Sequence, residues 1–300
     1  MTKKFQYGGQ ALIEGVMMRG AKQMAIAVRR PSGDILVESS QISSLAEKLP
    51  LLKLPLLRGV LALVESLVIG VRALTFSANM AVGEEEEELS KGELALTILL
   101  AIGLAVVLFI IIPTTAAFYL KGFVGGGVWQ NLTEGIIRIT MFVLYVIVIS
   151  RIKDIQRVFQ YHGAEHKVIH AYEAGEELTV ENAKRHSSLH PRCGTAFLLL
   201  VMVLTIFVYS TLQTPNLMFR VVSRLALLPL IAGMGYEILK WSSRHTRSPL
   251  VKLLITPGLW LQRLTTRPPD DSQVEVAIKA MEEVLNQEKR AEKATLHQPA

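Results

Sequence analysis

Five of the chain's seven histidines lie in the segment from residue 162 to residue 193, together with several glutamates and the only cysteine. In the stretch YHGAEHKVIHAYE, His162, His166 and His170 follow one another at steps of four, and Glu173 comes three residues later. At 100° per residue these four side chains share an arc of about 80° on one helix face, with Glu165 at its edge. The spacing therefore predicts a helix that presents imidazoles and carboxylates together.

Such a face is chemically competent to bind a divalent cation, because histidines at i and i+4 can reach the same zinc ion. The string from His162 to His166 also matches the H-x-x-E-H pattern of the inverted zincins, in which the histidines hold zinc and the glutamate activates water. We expect Glu165 to be the catalytic base.

A second group of possible ligands follows in RHSSLHPRCGT, which supplies His186, His190 and Cys193. Mixed nitrogen and sulfur donors suit zinc, with ferrous iron possible, whereas magnesium and calcium prefer oxygen. The two groups form either one site or two adjacent sites. The predicted metal ligands are His162, His166, His170, Glu173, His186, His190 and Cys193.

Other roles for these residues are open at this stage. Histidines also cap helices, meet lipid headgroups or sense pH. Cys193 could be a nucleophile activated by His190, although no acid partner or oxyanion hole is identifiable. For Glu14, Arg19 and Glu65, polar residues amid apolar neighbours, structural pairing is favoured over catalysis.

The elements that must position these residues include membrane-spanning helices. Half of the residues are hydrophobic, and they gather into blocks. Four blocks, at 94–118, 136–150, 196–212 and 225–239, read as spans, although the second and fourth are short against the ~20 residues that cross hydrocarbon. The first ten residues contain no apolar stretch, so we expect insertion through internal helices.

Lysine and arginine counts predict the orientation of these spans. The segment from 151 to 194 has seven such residues, whereas the two loops on the other side offer Lys121 and the pair Arg220 and Arg224. The positive-inside rule therefore places both termini and the long central loop in the cytoplasm.

The segments outside the spans have their own patterns. Residues 7–40 predict a small antiparallel β unit, with ALIEGVMM, MAIAVRR and ILVES as strands and a turn at Pro31 to Asp34. Gly8, Gly9, Gly15 and Gly20 suggest tight turns or close backbone approach, not a nucleotide-binding loop.

Residues 56–80 predict a helix with a charge every seven residues, which favours an interfacial or re-entrant position over a fifth span. The acidic run at 84–88 is expected to be a solvated connector. Ser272 and Glu275 predict a capping box for a final amphipathic helix, through about Lys289 and before a disordered tail, whose apolar face has Val274, Ile278, Met281 and Leu285. That face should dock on the cytoplasmic domain or on another copy of the chain.

The predicted fold is mainly α: a polytopic helical membrane protein with about four transmembrane helices, a small N-terminal β unit and a cytoplasmic histidine-rich helical loop. Its segments are a β unit at 1–55, the interfacial helix and acidic connector at 56–93, paired spans at 94–150, the loop at 151–195, paired spans at 196–241 and a C-terminal region at 242–300. The single cysteine excludes an intramolecular disulfide. The formal charge of +6 comes without basic stretches interleaved with aromatics, so we expect the lipid bilayer, not nucleic acid, as partner.

Four stretches resemble one known family: FQYGGQALIEGVMMRG, YHGAEHKVIHAYE, HPRCGT and RPPDDSQVEVAIKAMEEVL. They are similar to the YqhQ-like family of bacterial membrane proteins, whose function is unknown and which is catalogued as predicted metal-dependent enzymes. The resemblance spans nearly the whole chain. It implies a multi-pass protein of the bacterial cell membrane and places the family motif on His162, Glu165, His166, His170, His190 and Cys193.

The leading hypothesis is a membrane enzyme of hydrolytic type, with a divalent metal and a substrate at the cytoplasmic membrane surface. The alternative is a non-enzymatic scaffold or assembly factor, in which a metal or histidine cluster fixes the loop. Protein partners, or a second copy, would then bind through the β unit and the C-terminal helix. Transport is a third class with less support, since the two clearest spans carry no ionisable residue.

Overall fold

A computed structural model describes residues 7–81, 90–212, 216–242, 245 and 248–296 of the chain. The acidic run at 84–88 lies outside the described residues. Four strands come first, followed by helices to the end. The described helices are α1 (Leu45–Lys48), α2 (Leu57–Ala81), α3 (Lys91–Val106), α4 (Ile112–Tyr119), α5 (Lys121–Val124), α6 (Val128–Ile149), α7 (Lys153–Ala174), α8 (Val180–Arg185), α9 (Gly194–Ser210), α10 (Leu217–Ser242), α11 (Pro249–Thr265) and α12 (Asp271–Leu296).

The predicted β unit is an antiparallel meander of β1 (Gly8–Leu12), β2 (Gly15–Arg19), β3 (Gln23–Arg29) and β4 (Ile35–Gln41), with neighbours paired in that order. The stretch ALIEGVMM is not one strand: β1 and β2 are joined by a two-residue turn in which Glu14 has a φ of 51°. The turn pairs the two halves of the apolar run as neighbouring strands. Alternate residues of both strands therefore face the same two layers.

The sheet is the middle layer of three. One face, including Val16, Met18, Ala25 and Ala27, packs on α7 and α12, and the other face packs on α2 through Leu12, Met17, Ile26 and Val28. This alternation is the period of two that β-strands impose.

The predicted apolar face of α12 is confirmed: Val274, Ile278 and Met281 are buried against the sheet and α7, and Leu285 is partly buried. The predicted cap is wrong. Asp270 caps the helix by accepting from Gln273 N at 2.9 Å, and the Gln273 side chain accepts from Asp270 N at 3.0 Å. The capping box therefore starts two residues earlier than Ser272.

Four described helices are long and apolar enough to cross a membrane: Leu57–Ala81, Gly92–Tyr119, Val128–Ile149 and Leu217–Ser242. The second of these is α3 and α4 run together through a π-helical turn at Val107–Ile111. The number agrees with the expected four, but the membership differs. The block at 196–212 forms α9, which is shorter, and the block at 56–80 forms α2, which meets the length and composition of a span.

Two spans begin earlier than predicted because their charged residues are bonded inside the bundle. α6 starts eight residues before 136 and buries Glu134, and α10 starts eight residues before 225 and buries Arg220 and Arg224. These two arginines, predicted to lie in a loop, are helical and almost fully enclosed.

The beginning of α2 contacts the bundle. Gly59 lies against Gly233 of α10, where a Cβ on Gly59 would be 3.0 Å from the Gly233 Cα, and Arg58 Nε donates to Glu237 at 2.7 Å. Further along, Ala73 is buried on the sheet. The opposite side of α2 is an exposed apolar stripe of Val64, Leu67, Val68, Val71 and Leu74.

Candidate metal centre

The structure brings the two predicted ligand groups together as two trios of side chains. One trio is His162, His166 and Cys193, and the other is His170, Glu173 and His190. Within each trio the possible ligand atoms lie within 4.8 Å of one another. Each trio combines residues of α7 with a residue of the segment before α9, so neither group forms its site alone.

The position of α7 is fixed by its C-terminal end and by the backbone that follows α11. Gly175 ends the helix in the left-handed region, with φ of 77°. Near its middle, Gly163 permits the backbone after α11 to come close: a Cβ there would be 2.2 Å from the Arg267 carbonyl oxygen. Arg267 N also donates to Phe159 O at 2.9 Å.

The segment from His186 to Cys193 is held by two buried or half-buried side chains. Gln262 of α11, fully buried, accepts from His190 N and donates to His190 O, both at 2.8 Å. Lys167 of α7 donates to Lys184 O at 2.9 Å and to His186 O. Neither residue was predicted; a lone glutamine in the apolar run LWLQRL was the only sequence signal for Gln262.

The hydrogen bonds of the first trio fix the ring tautomers. His162 Nδ1 lies 2.8 Å from Thr265 O, and His166 Nδ1 lies 2.6 Å from Ser188 O. A carbonyl only accepts, so each Nδ1 carries a hydrogen, and in the neutral ring Nε2 is the acceptor nitrogen. The Nε2 of His162 lies 3.2 Å from Cys193 Sγ. Histidines that bind metals commonly donate their second nitrogen to such a carbonyl.

The second trio is more strongly engaged with its surroundings. His170 Nε2 donates to Leu189 O at 3.0 Å, which leaves Nδ1 as the lone-pair nitrogen. Glu173 forms an ion pair with Arg192, and its Oε2 is 3.7 Å from His190 Nε2, beyond a hydrogen bond. That His190 nitrogen is buried and has no hydrogen-bond partner among the described residues.

Burial and charge set the protonation of the second trio. Burial lowers the pKa of His190 to about 4 and also lowers that of His170. Burial alone would raise the pKa of Glu173, but His190 and Arg192 lower it to about 2. Near neutral pH the imidazoles are therefore neutral and the carboxylate is ionised, which are the forms that bind metal.

A row of imidazole rings joins the trios. Ring centroids are 4.4 Å apart for His162 and His166, 5.4 Å for His166 and His190, and 4.7 Å for His190 and His170. His186 is placed at the end of this row, 6.2 Å from His170, but its Nε2 pairs with Glu176 at 3.0 Å. It belongs to neither trio.

Glu165 is buried and faces the edge strand β1. A Cβ on Gly9 would be 2.9 Å from the Glu165 Cγ, and Gly9 provides a backbone hydrogen bond to the carboxylate. Burial raises the pKa of Glu165 to about 7, against the opposing effects of His162 and the Gly9 amide. Glu165 is not a member of either trio, and its link to them is this electrostatic interaction with His162.

The remaining polar candidates have structural partners. The contacts of Cys193 Sγ are with His162 and with Thr195 Oγ1 at 3.3 Å, and not with His190. Glu14 pairs with Arg157, with Nη2 to Oε2 at 2.6 Å. Glu65 accepts from Ser44 Oγ and Leu45 N at the start of α1, both at 2.9 Å.

The predicted close approach is observed for Gly9, Gly15 and Gly20 but not for Gly8, where a Cβ would meet nothing within 4 Å. A Cβ on Gly15 would be 2.5 Å from Ala27 O, and a Cβ on Gly20 would be 2.2 Å from Glu288 Oε1. Arg19 donates to Ser66 Oγ at 3.3 Å. These residues therefore fix the hairpin against its neighbours.

Comparison with known proteins identifies a family and supplies no activity. The family model described as "Protein of unknown function (DUF1385)" matches residues 54–287. The "Uncharacterized protein YqhQ" of Bacillus subtilis (strain 168) is 36% identical over 299 residues, covering 95% of this chain and 94% of the relative. No solved structure matches the chain. The chain belongs to the DUF1385 family, with YqhQ of Bacillus subtilis among its relatives.

Proposed function

We propose that this protein is a metal-dependent hydrolase that acts at the cytoplasmic surface of the bacterial cell membrane. The observation that carries the proposal is the arrangement of His162 and His166: both donate Nδ1–H to backbone carbonyls, both belong to one trio with Cys193, and His162 Nε2 lies 3.2 Å from the Cys193 thiol. This arrangement orients lone pairs before any ion binds, and a set of unrelated helix-capping histidines would not need it.

His162, His166 and Cys193 would hold the ion. Two imidazoles and one thiolate suit zinc first and ferrous iron second, and three protein ligands leave a position open. A divalent metal in such a site lowers the pKa of water and polarises the bond to be hydrolysed. His170, Glu173 and His190 would either hold a second ion or, with Glu173 paired to Arg192, form a polar lining of the site.

Glu165 is the proposed base. It precedes His166 directly on α7 and interacts electrostatically with His162, while the Gly9 amide holds its carboxylate. As general base, Glu165 would accept a proton from the attacking water and then return it to the leaving group. The buried position keeps bulk water away from that transfer.

Connectivity supports the proposed placement at the membrane. α3 with α4 crosses the membrane once and α6 crosses back, so α7 lies on the side where α3 begins. The sheet packs on α7, so α2, which joins the sheet to α3, starts and ends on that same side. By the same argument α12, which also packs on the sheet, requires α9 and α10 to cross as a pair.

These constraints favour an in-plane position for α2, with its apolar stripe facing lipid and its other side carrying the sheet. They also favour a transmembrane position for α9, although 17 residues span only about 26 Å. With Arg220 and Arg224 buried in α10, the positive-inside imbalance between the two sides is larger than the sequence count suggested. The metal site then lies in the layer next to the cytoplasmic membrane surface.

Elemental analysis of the purified full chain tests the proposal. The wild type, prepared without chelators and reconstituted with zinc or iron, should hold at least one ion per chain. The double variant His162→Ala/His166→Ala should hold at least about tenfold less. His186→Ala is the matched control and should keep its metal, because His186 lies outside both trios. A wild type that binds no stoichiometric metal would sink the proposal.

A non-enzymatic scaffold with a structural metal is the second candidate, since the first trio ties α7 to the start of α9. Glu165→Gln separates the two. In a hydrolase it retains metal and accumulates uncleaved substrate, detected by mass spectrometry of lipids and peptides that co-purify with the variant but not with the wild type. In a scaffold it is nearly silent, whereas His166→Ala unfolds the loop.

A further inference from the structure

A cluster of four charged side chains lies inside the helical bundle, away from the histidines. Glu134 of α6 is at its centre. Its carboxylate accepts from Arg138 Nη2 at 2.7 Å, from Arg220 Nε at 2.9 Å and from Arg224 Nε at 3.0 Å. All four residues are at least nine-tenths buried. Ionisable residues in such a position are costly and usually functional.

Arg138 has a structural role that accounts for its burial. Pro113 has no N–H, so the carbonyl of Phe109, four residues earlier, lacks its helical donor. Arg138 Nε supplies that donor at 2.8 Å, and its Nη1 donates to Thr205 at 3.0 Å. The helix defect between α3 and α4 therefore explains one arginine of the three.

Arg220 and Arg224 have no such explanation. Both also donate through Nη2 to one neutral oxygen, Asn131 Oδ1, each at 2.6 Å. Among the described residues, Glu134 is the only carboxylate that pairs with the three arginines. Within the described residues the cluster therefore has one carboxylate for three guanidiniums, and Arg224 Nη1 is buried there without a hydrogen-bond partner. Burying more positive than negative charge is costly.

We propose that this cluster binds a phosphate-type oxyanion between Arg220 and Arg224, in exchange for the amide oxygen of Asn131. Paired guanidiniums recognise tetrahedral oxyanions with several parallel donors, and the ligand would offset the excess charge. The proposal concerns a different part of the molecule from the metal centre and does not depend on it.

The depth of the cluster allows two sources for this chemistry. Exposed Tyr119, Phe123, Trp129 and Phe219 mark the bundle end nearest the cluster, and aromatic belts lie at the membrane interface. A free phosphate ion and the phosphate of a lipid headgroup are the two sources of such an oxyanion at a membrane interface. Both present the same oxygens to Arg220 and Arg224.

The first experiment measures thermal unfolding of the delipidated full chain in detergent. Sodium phosphate is compared with sodium chloride at equal ionic strength. We expect phosphate to raise the melting temperature of the wild type. Asn131→Asp places a carboxylate between the same two arginines, so it should raise the melting temperature without phosphate. It should also lower the apparent affinity for phosphate, obtained from the melting-temperature shift, at least tenfold.

Asn182→Asp makes the same amide-to-acid change on α8 and should leave the phosphate shift intact. Arg224→Lys is the second variant: it keeps the charge but loses the multiple donors, and it should also weaken the phosphate shift.

The second arm uses native mass spectrometry of the protein in micelles with added phosphatidylglycerol. Lipid retained by the wild type and lost in Asn131→Asp assigns the site to a headgroup, whereas a phosphate shift without retained lipid assigns it to the free ion. If neither phosphate nor lipid binds the wild type, or if Asn131→Asp binds them as the wild type does, the cluster is structural and the proposal is wrong.

Discussion

Gln262 and His190 are joined by two hydrogen bonds that run in opposite directions, from His190 N to the Gln262 side-chain oxygen and from the Gln262 amide to His190 O, both at 2.8 Å. One buried side chain of α11 thus replaces the strand or helix partner that this stretch of backbone lacks. The orientation of His190, and through it the second trio, depends on α11.

Gln262→Leu keeps the side-chain size but removes both bonds. Leaving buried backbone groups unpaired costs about 1–3 kcal/mol, so we expect the free energy of unfolding to fall by that amount. If the site holds metal, its affinity should fall by about tenfold. Urea unfolding in detergent and metal titration measure the two effects. Gln156→Leu, at a partly exposed position on α7, is the control, and equal losses in both variants would contradict this role for Gln262.

Gly9→Ala tests the contact between β1 and Glu165. The new Cβ would lie 2.5 Å from Met17 O and 2.9 Å from Glu165 Cγ, so β1 or α7 must shift. We expect a loss of about 1–3 kcal/mol in unfolding free energy, as for other overpacked sites. Gly8→Ala meets nothing within 4 Å and should change stability by less than about 0.5 kcal/mol. The reverse ranking of the two variants would show that β1 is placed differently.

Asp270→Ala should destabilise the protein by about 1 kcal/mol, because Asp270 caps α12. Ser272→Ala, at the position that the sequence pattern favoured, removes only a hydroxyl that donates to Asp270 at 2.6 Å and should cost less. Chemical denaturation of both variants gives the ranking. A larger loss in Ser272→Ala would restore the original capping assignment.

The same cap predicts a pH dependence. Burial alone would raise the pKa of Asp270, but hydrogen bonds from Ser272 and Gln273 lower it. The folded state therefore favours the ionised carboxylate, and its stabilising effect is present above the ordinary aspartate pKa of about 4 and is lost as pH falls through the lower folded value. The stability difference between wild type and Asp270→Ala should shrink in that acidic range. A difference that grows with acidity would contradict the cap.

Spin labels in proteoliposomes test whether the apolar stripe of α2 faces lipid. A label at Leu67→Cys should collide with oxygen, which concentrates in lipid, and avoid an aqueous nickel chelate. A label at Lys279→Cys, exposed on α12, should show the opposite preference. Equal access of the chelate to both labels would mean that the stripe on α2 faces water or protein.

The periodicity of the sequence predicted the features that depend on residues close together in the chain. The steps of four in α7 placed three histidines on one face, and the apolar repeat of α12 identified the side that packs on the sheet. The capping box was placed wrongly because Asp270 and Ser272 are both good caps and the local sequence does not choose between them. In the structure Gln273 also donates to Gln160 Oε1 at 3.1 Å, a partner distant along the chain.

Partners distant along the chain were beyond such reasoning. Arg220 and Arg224 were predicted to lie in a loop, because the carboxylate that they share is 86 residues from the first and 90 from the second. Likewise, nothing local to His162 and His166 shows that the carbonyls of Thr265 and Ser188 fix their tautomers. Charge and spacing indicated candidate ligands, and the tertiary fold decided which of them meet.

The contact between the sheet and α12 has a consequence for biosynthesis. Tyr7 and Ala21 bond to Glu288, and Arg29 bonds to Glu275, so the first residues described are closed by nearly the last. While the ribosome is still making the helical bundle, one apolar side of the sheet has no cover, and contacts of such long range form late. The N-terminal unit completes its core only after α12 has been made, which makes premature termination before residue 271 a source of aggregation-prone product.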